Sequence, residues 1–257
     1  MADPQFDSSD LGPTVESGEP VTKTELRTSF HSQLDDLRDR IASLAALVTE
    51  NIPRATEILL SQDLEGAEYV IRADDEMDSR ALLLEEECYE VLALQSPVAS
   101  DLRRVVAALR IIADVERSAD LAVNICKAAR RIYGQRLDPR LRGIIQKMGD
   151  QAQQLFKEAT EAYLNDDAIR AAALADMDGY LDLLQREFVQ AIFQSHSEST
   201  IDLQVAVQLA VVARFYERIG DHAVNIGERV RYVVTGWVPE KDGAARYAER
   251  QAASDLE

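Results

Sequence analysis

Apolar side chains recur every three or four positions along most of this chain, the period of a helix with one buried face. The first clear run is Phe30, Leu34, Leu37, Ile41, Leu44 and Val48. Similar runs predict six helices, and no segment alternates as a strand would. The predicted helices begin near Lys23 and after Asp63 and cover about residues 98–133, 139–164 and 168–195, with a sixth that extends to about Thr235.

Turn-forming and capping residues separate these runs. Pro53 falls inside the first helix and is expected to kink or interrupt it. The other expected boundaries are a cap at Asp63, a break at 95–97, a stop at Gly134, a cap at Asp138 with Pro139 in the first turn, a break at 165–167, a polar segment at 195–200 that caps the sixth helix, and an end at 236–239.

The order of these elements predicts an all-α protein, a tandem repeat of two antiparallel three-helix bundles. The first bundle covers residues 23–134 and the second covers residues 138–236. Residues 1–22 combine acidic side chains with Ser, Gly and Pro and few large apolar residues, which is typical of a disordered acidic tail. Residues 237–257 form a charged C-terminal tail.

Charge and composition exclude several classes of function. The formal net charge of −18 argues against a nucleic-acid binder, which needs a basic surface to neutralise phosphates. No apolar run is long enough to span a membrane, and the N-terminus lacks the features of a signal peptide. Cys88 and Cys126 stand apart without metal-type spacing, and we interpret them as reduced core residues. These features favour a cytoplasmic protein.

A ten-residue segment occurs twice in the chain, at 116–125 and again at 217–226. Both copies contain Glu-Arg, then Asp, then Ala-Val-Asn-Ile. Residues four apart lie about 40° from each other around a helix, so each copy places two carboxylates and an amide in one row. The rows are Glu116, Asp120 and Asn124 in the first copy and Glu217, Asp221 and Asn225 in the second.

The helix before each row carries a second pair of acids, Asp74 and Asp78 on helix two and Asp178 and Asp182 on helix five. The midpoints of the first-half pairs, residues 76 and 118, average to residue 97 at the turn. In the second half, midpoints 180 and 219 average to 199.5, inside the polar connection. Residues equidistant from the turn of a helical hairpin lie at the same height, so each half should bring its acids together.

Four neighbouring carboxylates raise one another's pKa unless a cation compensates their charge. Oxygen ligands suit Mg, Mn, Ca or Fe, and our prediction is a divalent or trivalent ion: Fe, Mn, Mg or Zn. The alternative is a solvated acidic face paired with arginines such as Arg117 and Arg218. A ferritin-type di-iron site is disfavoured, since no acid lies three residues before His31, His196 or His222. The chain also lacks nucleophile and phosphate-loop motifs.

In these motifs the chain resembles the PhoU family of phosphate-specific transport accessory proteins. Further matching features are Phe30-His31 and the segment Gln95-x-Pro97-x-x-x-Asp101-Leu-Arg103, and the resemblance spans about residues 24–236. It implies tandem three-helix bundles with metal on the acidic motifs, in some members as multinuclear iron clusters. It also implies a non-enzymatic negative regulator of phosphate uptake, linking the ATPase subunit of a phosphate ABC transporter to a sensor histidine kinase.

The resemblance places metal on Asp74, Asp78, Glu116, Asp120, Asp178, Asp182, Glu217 and Asp221, with Asn124, Asn225, His222 and Glu228 as possible supporting residues. Leu121, Cys126 and Lys127 stand where the second copy has His222, Gly227 and Glu228, so the second site should bind metal more readily. We also expect a homodimer that reaches the membrane only through its partners. The remaining alternatives are a metal-dependent hydrolase or oxidase and a metal-free helical scaffold.

Overall fold

Six α-helices and no strand make up residues 23–238, the part of the chain that the computed structural model describes, with side chains from Arg27 onward. The all-α prediction is confirmed. The expected disordered tail at 1–22 and charged tail from 239 onward lie outside the described residues. The helices are α1 (Lys23–Ser61), α2 (Leu64–Gln95), α3 (Ala99–Arg131), α4 (Pro139–Leu164), α5 (Ala168–Ser197) and α6 (Leu203–Thr235).

Aspartates cap four of the helix N-termini. Asp63 accepts a hydrogen bond from the Gly66 amide, and Asp138 and Asp167 act in the same way at α4 and α5. The prediction for the sixth helix was wrong, because α5 continues to Ser197 and the cap of α6 is Asp202. Its carboxylate accepts from the Val205 amide at 2.8 Å, and so satisfies an amide that has no partner within the helix.

Pro53 does not interrupt α1, which is continuous from Lys23 to Ser61, while a kink at this residue stays a prediction. Proline removes one backbone hydrogen bond and crowds the preceding turn. On either side of it, however, Ile52, Ala55 and Leu59 are completely buried. Packing of these side chains in the core therefore holds the helix together across the proline.

Four helices form the centre of the molecule: α1, α3, α6 and α4 pack side by side, each against the next, and α4 returns to α1. Helix α2 covers α3 and α1 on one side, while α5 covers α6 and α4 on the other. Both halves contribute to one continuous apolar core, with fully buried residues that include Ile41, Ile112, Phe156, Phe188 and Tyr216. The two repeats thus share a core rather than each enclosing its own.

Cys88 and Cys126 are both completely buried in this core and form no disulfide. Burial raises the pKa of each thiol to about 12 and so keeps it protonated. Their interpretation as core cysteines is confirmed. Among the helices between Lys23 and Thr235, none combines the length and hydrophobicity that a membrane span requires.

Candidate metal centre

Helices α2 and α3 bring the first four predicted acids together. The charge of Asp120 raises the pKa of both Asp74 and Asp78 across the hairpin, and the charge of Asp78 raises that of Glu116. Asp78 and Asp120 are exposed, whereas Asp74 and Glu116 are partly buried between the helices. These four acids, the first cluster (Asp74, Asp78, Glu116 and Asp120), thus lie close together, as predicted from their equal distances along the chain to the turn.

Helices α5 and α6 form the second cluster in the same way, from Asp178, Asp182, Glu217 and Asp221. Asp182, Asp221 and Glu217 all raise the pKa of Asp178. Only Asp221 is exposed, while the other three side chains are partly buried. The duplicated motifs therefore contribute to two acidic clusters, one between α2 and α3 and one between α5 and α6.

Burial is the main reason for the raised pKa values, and repulsion between the carboxylates comes second. These effects raise the pKa of Asp74 to about 6, from 3.8. In the second cluster they raise the pKa of Asp178 to about 6 as well. Burial also raises the pKa of Glu116 and Glu217. A cation would stabilise such a site, because it would offset the cost of holding several negative charges partly shielded from water.

Neighbouring positive charges differ between the clusters. Lys127 lowers the pKa of Asp74, so the first cluster is partly compensated by a residue of α3 itself. In the second cluster, Arg214 forms an ion pair with Oε1 of Glu217. The other oxygen of Glu217, Oε2, is buried without a hydrogen-bond partner, and so is Oδ1 of Asp178. The second cluster therefore has two buried acceptor atoms that the protein does not satisfy.

These two atoms, with the raised pKa values, fit a cation at the second cluster. All-oxygen donors of this kind suit a hard or intermediate ion. Within residues 23–238 no three acidic, histidine or cysteine side chains are already arranged as a ligand set. Binding would require the carboxylates to rotate toward one another, which is possible for exposed Asp221 and for the partly buried Asp182.

Gly220 is what lets Asp178 lie directly on α6. A Cβ atom at this position would stand 2.3 Å from Oδ1 of Asp178 and 2.8 Å from Cδ2 of Leu181. The first repeat has Ala119 at the corresponding place in the motif. In the second cluster the glycine thus allows a close contact between α5 and α6, which the charge pattern of the sequence does not indicate.

Replacing Gly220 by Ala should lower the free energy of unfolding by about 1 kcal/mol, because overpacking of about 1–3 kcal/mol outweighs the helix-propensity gain of up to about 1 kcal/mol. It should also push the Asp178 carboxylate out of the cluster. Gly179→Ala is the matched control, since a Cβ there meets nothing within 4 Å. The control should stabilise the helix by up to about 1 kcal/mol. Urea unfolding of both variants checks this, and equal effects would contradict the assigned contact.

Tyr216, directly before Glu217, fixes this part of α6 in the core. Its hydroxyl lies 2.7 Å from Oγ1 of Thr56 on α1, and both residues are buried. Burial raises the pKa of Tyr216, so the phenol stays protonated and can share this hydrogen bond. The neighbouring Glu217 is consequently held at a defined height on α6.

His222 and Asn225 are predicted to support the acids of the second cluster, but the hydrogen bonds of their side chains reach α3 instead. Nδ1 of His222 lies 2.8 Å from Oδ1 of Asp114 on α3, and the Asn225 amide donates to the same oxygen at 3.3 Å. His222 and Asp114 are only 8% and 6% exposed. These two α6 residues thus connect the repeats, while Asn124 and Glu228 are partly buried on α3 and α6.

Sequence reasoning missed Asp114 altogether. It is the single acid in the apolar segment Val105–Val115, and the corresponding residue of the second repeat is Phe215. A carboxylate at a core position is rare unless it has a partner, so its place on the apolar face was a usable signal. The partners on α6 could not have been identified without the packing of the two repeats.

Comparison with known proteins supports the family resemblance. A family model described as the PhoU domain matches residues 41–129 and again residues 145–230. The chain is 37% identical over 223 residues to the phosphate-specific transport system accessory protein PhoU homolog 1 of Mycobacterium tuberculosis, covering 86% of this chain and 100% of that protein. It is 35% identical over 215 residues to homolog 2 of the same species, covering 83% of this chain and 100% of the relative.

Solved structures agree with this relationship. The crystal structure of PhoU from Pseudomonas aeruginosa matches with a TM-score of 0.76 at 29% identity, covering 81% of this chain and 100% of that one. PhoU from Streptococcus pneumoniae matches with a TM-score of 0.75 at 26% identity, over 81% of this chain and 98% of that one. With two PhoU domains and a 37% identical relative over most of its length, this protein belongs to the PhoU family.

Proposed function

We propose that this protein is a negative regulator of phosphate uptake and of the phosphate-starvation response. The observation that carries the proposal is the PhoU domain, which matches both halves of the chain. The relatives from Mycobacterium tuberculosis are named as accessory proteins of the phosphate-specific transport system. An accessory role in that system is accordingly the basis of the proposed function.

In this proposal the protein acts as a non-enzymatic adaptor in the cytoplasm. It contacts the ATPase subunit of a phosphate ABC transporter and a sensor histidine kinase, and restrains the kinase while phosphate is plentiful. The sequence motifs support a regulatory role over catalysis, since no nucleophile or phosphate-binding loop accompanies the acidic clusters.

The proposal includes a metal ion, which is Fe, Mn, Mg or Zn. The second cluster binds this ion with the higher affinity and the first cluster with the lower affinity. Its support is the pair of buried unsatisfied oxygens on Asp178 and Glu217. When bound, the ion would supply positive charge between α5 and α6 and offset the repulsion among the carboxylates. Lys127 supplies part of that charge to the first cluster, as Arg214 does to the second, so the preference for the second cluster rests on its two unsatisfied oxygens.

Deleting the gene should raise the expression of phosphate-uptake genes in phosphate-rich medium, because the kinase would lose its restraint. The measurement is a transcriptional reporter in wild-type, deleted and complemented strains. The complementing gene should restore repression. Unchanged reporter activity in the deleted strain would reject the regulatory proposal, while the metal proposal would remain open.

The proposed assembly is a homodimer, and it can be checked on the same purified protein that is used for metal analysis. Sedimentation equilibrium compares the mass in solution with the 28.6 kDa of one chain. A mass of one chain at all concentrations would reject the dimer. Comparison with and without chelator also shows whether association depends on the metal.

A further inference from the structure

The α5–α6 hairpin has an exposed apolar face next to its turn. A cavity of about 160 Å³ opens between the two helices there, and only apolar atoms line it. Its walls include Val189, Phe193, Leu203, Val207 and Ala210. Phe193 is 71% exposed and Leu203 is 64% exposed, so large apolar side chains stand in water beside the cavity. A contiguous apolar surface of this kind marks an interaction site.

Charged residues are missing from this face. Asp, Glu, Lys and Arg make up 29% of the chain, yet residues 188–197 and 203–213 contain none of them. At the equivalent places in the first repeat, residues 84–93 contain four glutamates and residues 102–112 contain three arginines. Depletion of charge is typical of the buried centre of a protein interface. The second hairpin therefore has the composition of an interface, and the first hairpin does not.

The shape of the face suits a second copy of the same face. Residues 193 and 207 average to residue 200, the middle of the connection between Ser197 and Leu203, so Phe193 and Val207 lie at the same height. When two hairpins pack antiparallel about a twofold axis at this height, the Phe193 ring of each copy lies over the cavity of the other. Such a symmetric contact uses the same surface on both copies and closes after two.

Charges at the edges of the face favour this antiparallel arrangement. Arg186 lies seven residues before Phe193, about 10 Å toward the second cluster, and Glu198 lies five residues after it, about 7–8 Å toward the turn. The antiparallel dimer thus brings Arg186 of one copy close to the level of Glu198 of the other. Both side chains are exposed, and Arg186 donates to the backbone carbonyl of Asp182 rather than to a carboxylate. A parallel dimer would instead place the two second clusters side by side, where their charges repel.

The size of the face corresponds to a dimer that dissociates on dilution. An aromatic side chain presents about 150–250 Å², so Phe193 at 71% exposure contributes about 110–180 Å². With the exposed parts of Leu203, Val207 and Val211, each copy offers roughly 200–350 Å² of apolar surface. Because little more than half of an interface is apolar, the total buried area is roughly 700–1,200 Å², at the lower end of specific interfaces.

We propose that the exposed face of the α5–α6 hairpin around Phe193 is the contact surface of the homodimer, with Phe193 of each copy in the cavity of the other. The inference rests on the homodimer of the proposed function and assigns its interface. The charges favour a second copy as the occupant, since two molecules that each carry a net charge of −18 avoid like-charge contacts where the exposed side chains carry no charge. Arg186 and Glu198 then form two equivalent ion pairs at the edges.

Phe193→Asp should produce a monomer at concentrations where the wild type is a dimer, because it places a charge in an apolar contact. Loss of a central aromatic residue corresponds to association that is weaker by about 30-fold or more. Sedimentation equilibrium measures the mass against the 28.6 kDa of one chain. Tyr89→Asp is the matched control, since Tyr89 occupies the equivalent position of the first repeat and is 56% exposed. It should associate like the wild type.

Charge exchange tests the orientation of the two copies. Glu198→Arg should weaken the dimer, and combination with Arg186→Glu should restore it, since the exchange re-forms both ion pairs. A combined variant no stronger than Glu198→Arg overturns the antiparallel arrangement.

A dimer that persists in the Phe193→Asp protein overturns this interface while the homodimer itself stands. Equal dissociation in the Tyr89→Asp protein overturns the interface as well. A wild-type mass of one chain at all concentrations rejects both the homodimer and the interface, and leaves the face to another segment or another protein. Mass is measured on purified protein, so failure of the interface is distinct from failure of the regulatory proposal, which the reporter assay measures.

Discussion

Asp178→Asn should weaken cation binding at the second cluster by about 100-fold or more, since even loss of a group outside the ligand set costs 10–100-fold. Asp178 is the centre of this cluster: it is partly buried, it lies against Gly220, and its Oδ1 atom has no protein partner. Isothermal titration with Mn²⁺ and Fe²⁺, after removal of metal by chelator, measures the affinity. Asp74→Asn in the first cluster should have a smaller effect on total binding.

Asp176→Asn is the matched control, because this exposed residue lies on the same helix outside the cluster. It should bind metal like the wild type. Equal affinity of the Asp178→Asn protein, both alone and in combination with Asp74→Asn, would reject the second cluster as a metal site. Undiminished binding by both single cluster variants, with loss only in the combined variant, would instead show that either cluster can bind the ion alone.

The same Asp178 variant has an opposite effect on the metal-free protein. In the folded state, burial and the neighbouring acids raise the pKa of Asp178 to about 6, from 3.8. Between these values the folded state binds more protons than the unfolded state, so stability decreases as pH rises, and the full cost is present at pH 7. A shift of this size corresponds to about 3 kcal/mol, which solvent screening of a partly exposed group reduces to about 1 kcal/mol.

Without metal, therefore, Asp178→Asn should be about 1 kcal/mol more stable than the wild type at pH 7. The difference should disappear below pH 3.8, where the carboxylate is protonated in both states. Urea unfolding in chelator at several pH values measures it. A variant that is less stable at pH 7 would indicate that Asp178 makes a stabilising contact rather than a repulsive one.

Asp114→Ala should lower the free energy of unfolding by about 3 kcal/mol, since it leaves one buried and one partly buried donor without an acceptor, each at a cost of about 1–3 kcal/mol. These donors are the His222 ring and the Asn225 amide, which both bond to Oδ1 of Asp114. The contact joins α3, which carries two acids of the first cluster, to α6, which carries two acids of the second cluster. Its loss should therefore loosen both clusters together.

Asp114→Asn changes the hydrogen bonds of this residue while its packing stays almost the same, so it distinguishes the two contributions to stability. The amide keeps one acceptor oxygen in place, so this variant should lose only about 1 kcal/mol. A double-mutant cycle with His222→Ala then measures the coupling between the two residues. Equal losses for the Ala and Asn variants, or a coupling near zero, would contradict the proposed role of this hydrogen-bonded contact.

Much of the fold follows from local features. The period of three and four in segments such as Phe30–Val48 arises because one face of each helix must be buried. Capping by Asp63 and Asp138 depends only on residues within the next turn, so it could be predicted, whereas the start of α6 was misplaced because several polar residues precede Asp202. Of the two outcomes expected at Pro53, an interruption of α1 does not occur, since distant packing outweighs the local cost of the proline.

The two acidic clusters could be predicted because a helical hairpin is symmetric about its turn, so equal distances along the chain bring Asp74 and Asp78 beside Glu116 and Asp120. The charge difference between the two clusters could be predicted from the sequence, but their difference in contacts could not. Lys127 was visible in the sequence as a charge difference, but the contact of Asp178 with Gly220 requires the distance between two helices, which spacing along one chain does not contain.

Periodicity and distance to a turn were enough to predict the six helices, their pairing in two repeats and the membership of eight acids in two clusters. How the two repeats join could be learned only from the packing of the helices. It merged their cores, directed His222 and Asn225 to Asp114, and left the oxygens of Asp178 and Glu217 unsatisfied. Such contacts depend on the angle and depth at which helices pack, and these are set by all the side chains of the interface together.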